Sequence, residues 1–112
     1  MKRTHHCNEL RLEQAGEDVI LSGWVHSCRD LGGVIFIDVR DREGRTQLVF
    51  DPQETDSCFV EVASKLHAES VITVSGKVRQ RPDETENSKI PTGHIEVVIA
   101  SMEVNNEASV LP

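Results

Sequence analysis

Residues 34–51 read VIFIDVRDREGRTQLVFD. Apolar side chains alternate through residues 34–40, stop at Asp41-Arg42-Glu43-Gly44, and resume through residues 45–51. This is the pattern of two half-buried strands joined by a four-residue turn, with Gly44 free to take positive φ. In the first of these strands Ile35, Ile37 and Val39 share one side, and Val34, Phe36, Asp38 and Arg40 the other. The uniformly apolar side is the core side, because burying Asp38 or Arg40 unpaired costs several kcal/mol. In the second strand Thr46, Leu48 and Phe50 point inward, and Arg45, Gln47 and Val49 outward. Phe36 then stands on an outer face, beside charges.

Working toward the N-terminus, residues 29–33, RDLGG, read as a loop, and residues 18–28, DVILSGWVHSC, as the preceding strand. Gly23 inside that strand marks a bulge or a close backbone approach. Toward the C-terminus the period changes. Phe59, Val62, Ala63 and Leu66 fall at i, i+3, i+4 and i+7, the apolar stripe of one short helix, with Asp56 or Ser57 as its cap. Alternation returns in residues 70–80, SVITVSGKVRQ. Residues 81–93 form a polar loop with two prolines. A last strand occupies residues 94–104, with Ile95, Val97 and Ile99 inward and His94, Glu96 and Val98 outward. The order is β-β-β-α-β-β. Five strands with a helix between the third and fourth predict an OB-fold, a five-stranded Greek-key barrel in the all-β class. Residues 1–104 form the domain, and residues 105–112 read as a linker.

Composition agrees. The 112 residues suit one domain. Val and Ile, 14 and seven, outnumber the seven Leu, a β-branched excess that favours sheet. Twelve Lys and Arg against 19 Asp and Glu leave a net charge of −7, which excludes a generally basic nucleic-acid sponge. The acid excess lies mainly in residues 54–69 and after Asp83. No stretch reaches the roughly 18–20 apolar residues of a membrane span, and the N-terminus lacks the apolar core of a signal peptide. A cytoplasmic location is expected. The three cysteines, Cys7, Cys28 and Cys58, are odd in number and widely spaced, and read as reduced thiols.

Phe36, Gln47 and Glu96 fall on one outer face. An aromatic ring among polar groups there is a stacking platform for a splayed base, whose edge a nearby Gln or Arg reads. Packing of Phe36 beneath the last long loop is the competing explanation. His5, His6, Cys7, His26 and Cys28 lack zinc-site spacing, so no metal is expected. Asp38, Asp41 and Glu43 read as ion-pair partners of Arg40, Arg42 and Arg45, Trp24 as a packing residue, and the helix stripe as a plug for the barrel. No catalytic residue is assigned.

The stretch GWVHSCRDLGGVIFIDVRDREGRTQLVFD, residues 23–51, closely resembles the N-terminal domain of bacterial aspartyl-tRNA synthetases. RTHHCNELRLEQAGEDVILSGWV and RPDETENSKIPTGHIEV, residues 3–25 and 81–97, are similar to the same family. The resemblance implies an OB-fold that binds a tRNA anticodon loop, within a class II ligase that joins aspartate to tRNA. It implies that Phe36 stacks on an anticodon base and that Gln47 pairs with the edge of the central uracil. Arg29, Arg81 and Asn87 would approach the third base, and Glu96 the first. ATP and Mg²⁺ would serve a catalytic domain outside residues 1–112, with no cofactor in this one. The full-length enzyme would be a homodimer whose partner is aspartate tRNA. Ser27 and Cys28 stand where the family often has arginines, and Glu84 where it often has glycine. Leu31 lies in the loop whose composition bears on acceptance of asparagine tRNA. Two other classes stay open: a stand-alone OB module for single-stranded nucleic acid or tRNA, and a structural interaction domain.

Overall fold

A computed structural model describes residues 4, 5, 7, 9–42, 44–66, 70–81 and 93–106, and the backbone alone at 105 and 106. Five strands, β1 (Asp18–Leu31), β2 (Val34–Arg40), β3 (Arg45–Phe50), β4 (Val71–Gln80) and β5 (Ile95–Asn106), close into a barrel in the order β1-β2-β3-β5-β4. One helix, α1 (Ser57–Ser64), lies between β3 and β4. This is the OB-fold arrangement. All neighbours pair antiparallel except β3 and β5, whose parallel pairing (Leu48↔Val97, Val49↔Val98) closes the barrel.

The inward residues follow the alternation. Ile35, Ile37, Val39, Leu48, Phe50, Ile95, Val97 and Ile99 are all buried in one core with Val19, Leu21, Val25, Ile72, Val74 and Val78. Two glycines let strands pass closely. A Cβ on Gly23 would sit 2.3 Å from the carbonyl oxygen of Arg40, and one on Gly76 equally close to that of Val98. Both lie near register shifts, where a strand bends from one partner to the next.

Several boundaries differ from expectation. Residues 29–31 belong to β1, so the loop is only Gly32-Gly33, with φ of 66° and 93°. Two successive positive φ values make the tight turn that continues the twist of its flanking strands, and glycine takes them without strain. The strand pairing therefore runs to Leu31↔Val34 and carries Arg29 on a sheet rather than on a loop. At the other end β5 reaches Asn106, beyond the boundary placed at residue 104. In α1, Asp56 caps the start through its carboxylate and the N–H of Cys58. Ala63, Phe59 and Leu66 face the barrel as expected, but Val62 is exposed and Val60 packs instead. Two turns of helix present a narrow face, and this one is centred between Val60 and Ala63.

The N-terminal segment also joins the core. Cys7 and Leu10 are fully buried. The Cys7 N–H donates to Asp41 at 2.9 Å, and the Thr46 hydroxyl donates to the Cys7 carbonyl at 2.6 Å. The second carboxylate oxygen of Asp41 accepts from the Gly44 N–H at 3.1 Å, closing the β2–β3 turn. Asp41 thus serves backbone donors, a task that its expected ion-pair role did not include. Cys7 is a buried thiol, while Cys28 and Cys58 are exposed.

Candidate nucleic-acid interface

Pairing register places two rows of side chains across the outer face of the sheet. Ser27, Asp38 and Gln47 lie side by side on β1, β2 and β3, with Glu96 and Arg79 continuing the row on β5 and β4. Arg29, Phe36, Val49, Val98 and Lys77 form the next row. Arg40 and Arg45 pair at one end of the β2–β3 ladder. Six of the chain's 12 cationic side chains, those of Arg29, Arg40, Arg45, Lys77, Arg79 and Arg81, belong to this face or its rim. Near the aromatic ring and the Gln47 amide, Arg29, Arg79 and Arg81 stand together with the carboxylates of Asp38 and Glu96.

Phe36 is half-buried against its row neighbours, and the Arg29 guanidinium stands 6.0 Å from the ring centroid, the outer limit of a cation–π contact. From there a chain of polar contacts crosses the sheet. Arg29 Nη2 donates to Gln47 Oε1 at 3.1 Å, and Gln47 Nε2 donates to Glu96 Oε1 at 3.0 Å. Arg79 Nε donates to Glu96 Oε2 at 2.7 Å, and Arg79 Nη1 to Glu54 Oε2 at 3.0 Å. Ser27 donates to Asp38 at 3.1 Å.

The structure thus brings Phe36, Gln47 and Glu96 to one face, as the alternation predicts, and adds Arg29 and Arg81, which the sequence placed in loops. It corrects their exposure. Gln47 and Glu96 point outward yet are only 5% and 2% exposed. Alternation decides which side a residue takes, whereas long neighbouring side chains decide whether it is covered. Here the arginines lie over the amide and the carboxylate. A buried carboxylate needs compensation, and both oxygens of Glu96 have it. Burial pulls the Arg79 guanidinium down, but the hydrogen bonds and charges of Glu96 and Glu54 outweigh it and hold it above its ordinary range.

Arg81 follows β4 directly and is 5% exposed. Its backbone N–H donates to the His94 carbonyl and its Nε to the Ile95 carbonyl, both at 2.9 Å, which ties it to the start of β5. Burial lowers its pKa; the carboxylates of Asp38 and Glu96 oppose that shift, and Arg29 and Arg45 add to it. Asn87, Glu84 and His6 lie outside the described residues. Cys28 faces α1, 3.6 Å from the Ala63 carbonyl, so only Ser27 of the Ser27-Cys28 pair faces the interface. Sequence reasoning missed Arg79. Its signal was its place on the fourth strand one residue after the inward Val78, which puts it outward with Lys77.

Among the described residues no group of three His, Cys, Asp or Glu is placed to hold a metal ion, and no helix is long and apolar enough to cross a membrane.

Residues 19–105 match the tRNA anti-codon family, an OB-fold nucleic acid binding domain. Over all 112 residues the chain is 51% identical to an aspartate–tRNA(Asp/Asn) ligase of Dictyoglomus turgidum, and it spans 19% of that protein. It is 52% identical over 110 residues to the aspartate–tRNA(Asp/Asn) ligase of Methylacidiphilum infernorum, covering 98% of this chain and 18% of that one. The chain thus spans about a fifth of the length of these curated relatives. Among solved structures, asparaginyl-tRNA synthetase from Pyrococcus horikoshii complexed with asparaginyl-adenylate superposes with a TM-score of 0.81 at 30% identity, over 100% of this chain and 24% of that one. OBody AM2EP06, bound to hen egg-white lysozyme, gives 0.83 at 26% identity, over 96% and 97% of the two chains.

Proposed function

The chain belongs to the tRNA anti-codon family of OB-fold nucleic acid binding domains, and from that premise we propose that it binds the anticodon loop of aspartate tRNA. It does so as the N-terminal domain of an aspartate–tRNA ligase. The observation that carries this reading is the Arg29–Phe36–Gln47–Glu96 arrangement: an accessible ring edged by a guanidinium, beside an amide already oriented by charged neighbours. RNA sequence is read on unstacked bases by stacking and by hydrogen bonds to their edges, and this face offers both.

In this reading Phe36 stacks on the central base and Gln47 pairs with the edge of that uracil. Arg29 and Arg81 serve the third base, joined by Asn87. Glu96 borders the position of the first base, but its carboxylate is committed to Gln47 and Arg79, so a base reaches it only by displacing Arg79. Arg40, Arg45 and Lys77 supply phosphate contacts around the rim. Aminoacylation belongs to the whole parent enzyme, a homodimer in which ATP and Mg²⁺ serve a separate catalytic domain. Acceptance of asparagine tRNA as well fits the names of the two curated relatives.

The test is a fluorescence-anisotropy titration at low salt. It compares a stem-loop carrying the anticodon GUC with stem-loops altered at each anticodon base. Selective binding of GUC is the expected result. Equal binding of all four describes a non-specific single-strand module, and no binding with self-association describes a structural interaction domain; either outcome refutes the proposal.

A further inference from the structure

Gln47 sits between a guanidinium and a carboxylate. Arg29 donates to its Oε1, and its Nε2 donates to Glu96. A guanidinium carries only donors and an ionised carboxylate only acceptors, so the amide fits only one way round. One lone pair on Oε1 and one N–H on Nε2 remain, side by side and in fixed order. That order matters for a pyrimidine. At a given ring pose, N3 and the group at C4 are donor then acceptor in uracil, and acceptor then donor in cytosine. Turning the amide over exchanges the base that fits.

What fixes the amide is Glu96, and what fixes Glu96 is Arg79. Their residues are register partners on β5 and β4, joined at 2.7 Å. Arg79 is itself braced from the other side by Glu54. Among the described residues Gln47 and Arg79 are the hydrogen-bonding partners of Glu96, while Arg81 contributes charge nearby. Without Arg79 the carboxylate is buried beside a neutral amide. A buried carboxylate without its counter-charge is costly, so it turns away toward water and the acceptor that orders the Gln47 amide is lost.

We propose that Arg79 is a positioning residue for base selection. It holds Glu96 in place, Glu96 sets the orientation of the Gln47 amide, and that orientation favours uracil over cytosine at the base Gln47 reads. This rests on the role proposed above for Gln47. Arg79 need not touch the RNA.

Two readouts test it on the 112-residue chain. The first needs no RNA: the side-chain NH₂ pair of Gln47 in a ¹H–¹⁵N spectrum, assigned through its loss in Gln47→Glu. Arg79→Met moves or broadens this pair, and Arg79→Lys restores it in part. The second is the ratio of Kd values for stem-loops with C and with U at the middle anticodon base. Arg79→Met lowers this ratio by about tenfold, leaves discrimination at the third base intact, and Arg79→Lys recovers part of it. Should Arg79→Met not fold, Glu54→Gln frees the other end of Arg79 at an exposed site and lowers the ratio less, by about threefold.

A wild-type chain that is indifferent to the middle base refutes base reading by Gln47, whatever the Arg79 variants do. If the wild type discriminates and these variants keep both the ratio and the Gln47 signal, the positioning role of Arg79 alone is refuted. Uniform weakening of every stem-loop, with a shallower salt dependence, makes Arg79 a phosphate contact and also overturns the proposal.

Discussion

Truncating Phe36 is the most direct challenge to the interface. The ring lies outside the barrel wall, half-buried, between Arg29 on β1 and Val49 on β3. Loss of one base–aromatic stack costs about 1–3 kcal/mol. In the free chain the ring already has a contact with Arg29, but at 6.0 Å and at an exposed residue it contributes about 0.5 kcal/mol or less. A base that takes the ring forfeits little by displacing it. Phe36→Ala should therefore weaken GUC stem-loop binding by about 2 kcal/mol, roughly 30-fold in Kd. The same truncation opens no cavity in the core, so its stability cost stays near 1 kcal/mol, about 4–8 °C in Tm. Phe36→Leu separates the two effects, since it keeps the packing and removes the π-face. Anisotropy gives Kd and circular dichroism gives Tm. A folded Phe36→Ala chain that binds GUC within about threefold of wild type would show that no base stacks there.

Four further outcomes are expected. Gly76→Ala places a methyl group 2.3 Å from the Val98 carbonyl oxygen and must part β4 from β5, costing about 1–3 kcal/mol or more in urea unfolding; unchanged stability would contradict the close approach. Asp41→Ala strands the buried N–H of Cys7 at a cost of about 1–3 kcal/mol, and faster hydrogen exchange at Cys7 is its specific sign. Lys77→Ala should lower the slope of log K against log[salt] by about 0.7–1 without altering anticodon preference; an unchanged slope places the RNA backbone elsewhere. Burial and then the charge of Asp30 push the Cys28 thiol up, so less thiolate is present at any given pH. Its iodoacetamide alkylation should titrate above a free cysteine, and Asp30→Asn should bring the midpoint part of the way back.

The barrel was legible because its strands alternate cleanly. Ile35, Ile37, Val39, Ile95, Val97 and Ile99 are assigned inward by period alone, and all are buried. Gly23 was legible as a close approach because glycine inside a strand has few other uses. Other features depend on partners far along the chain. Cys7 and Leu10 show no period, and only their contacts with the rest of the fold bury them. The extension of β1 through Leu31 depends on its cross-strand partner Val34, where the residues RDLGG alone suggest a loop. Gln47 and Glu96 were assigned to the right side, but their burial depends on arginines from β1 and β4 lying over them. The role of Arg79 depends on Glu96 and Glu54, which stand 17 and 25 residues away.

The Gln47–Glu96 contact spans 49 residues and sits on the parallel β3–β5 seam that closes the barrel. Pairings of such long range form late, since loop-closure entropy is paid before they contribute. Arg29 and Phe36 belong to β1 and β2, whereas the carboxylate that orients the Gln47 amide comes from β5. In the proposed reading, the base selectivity of Gln47 therefore depends on the same strand pairing that closes the barrel.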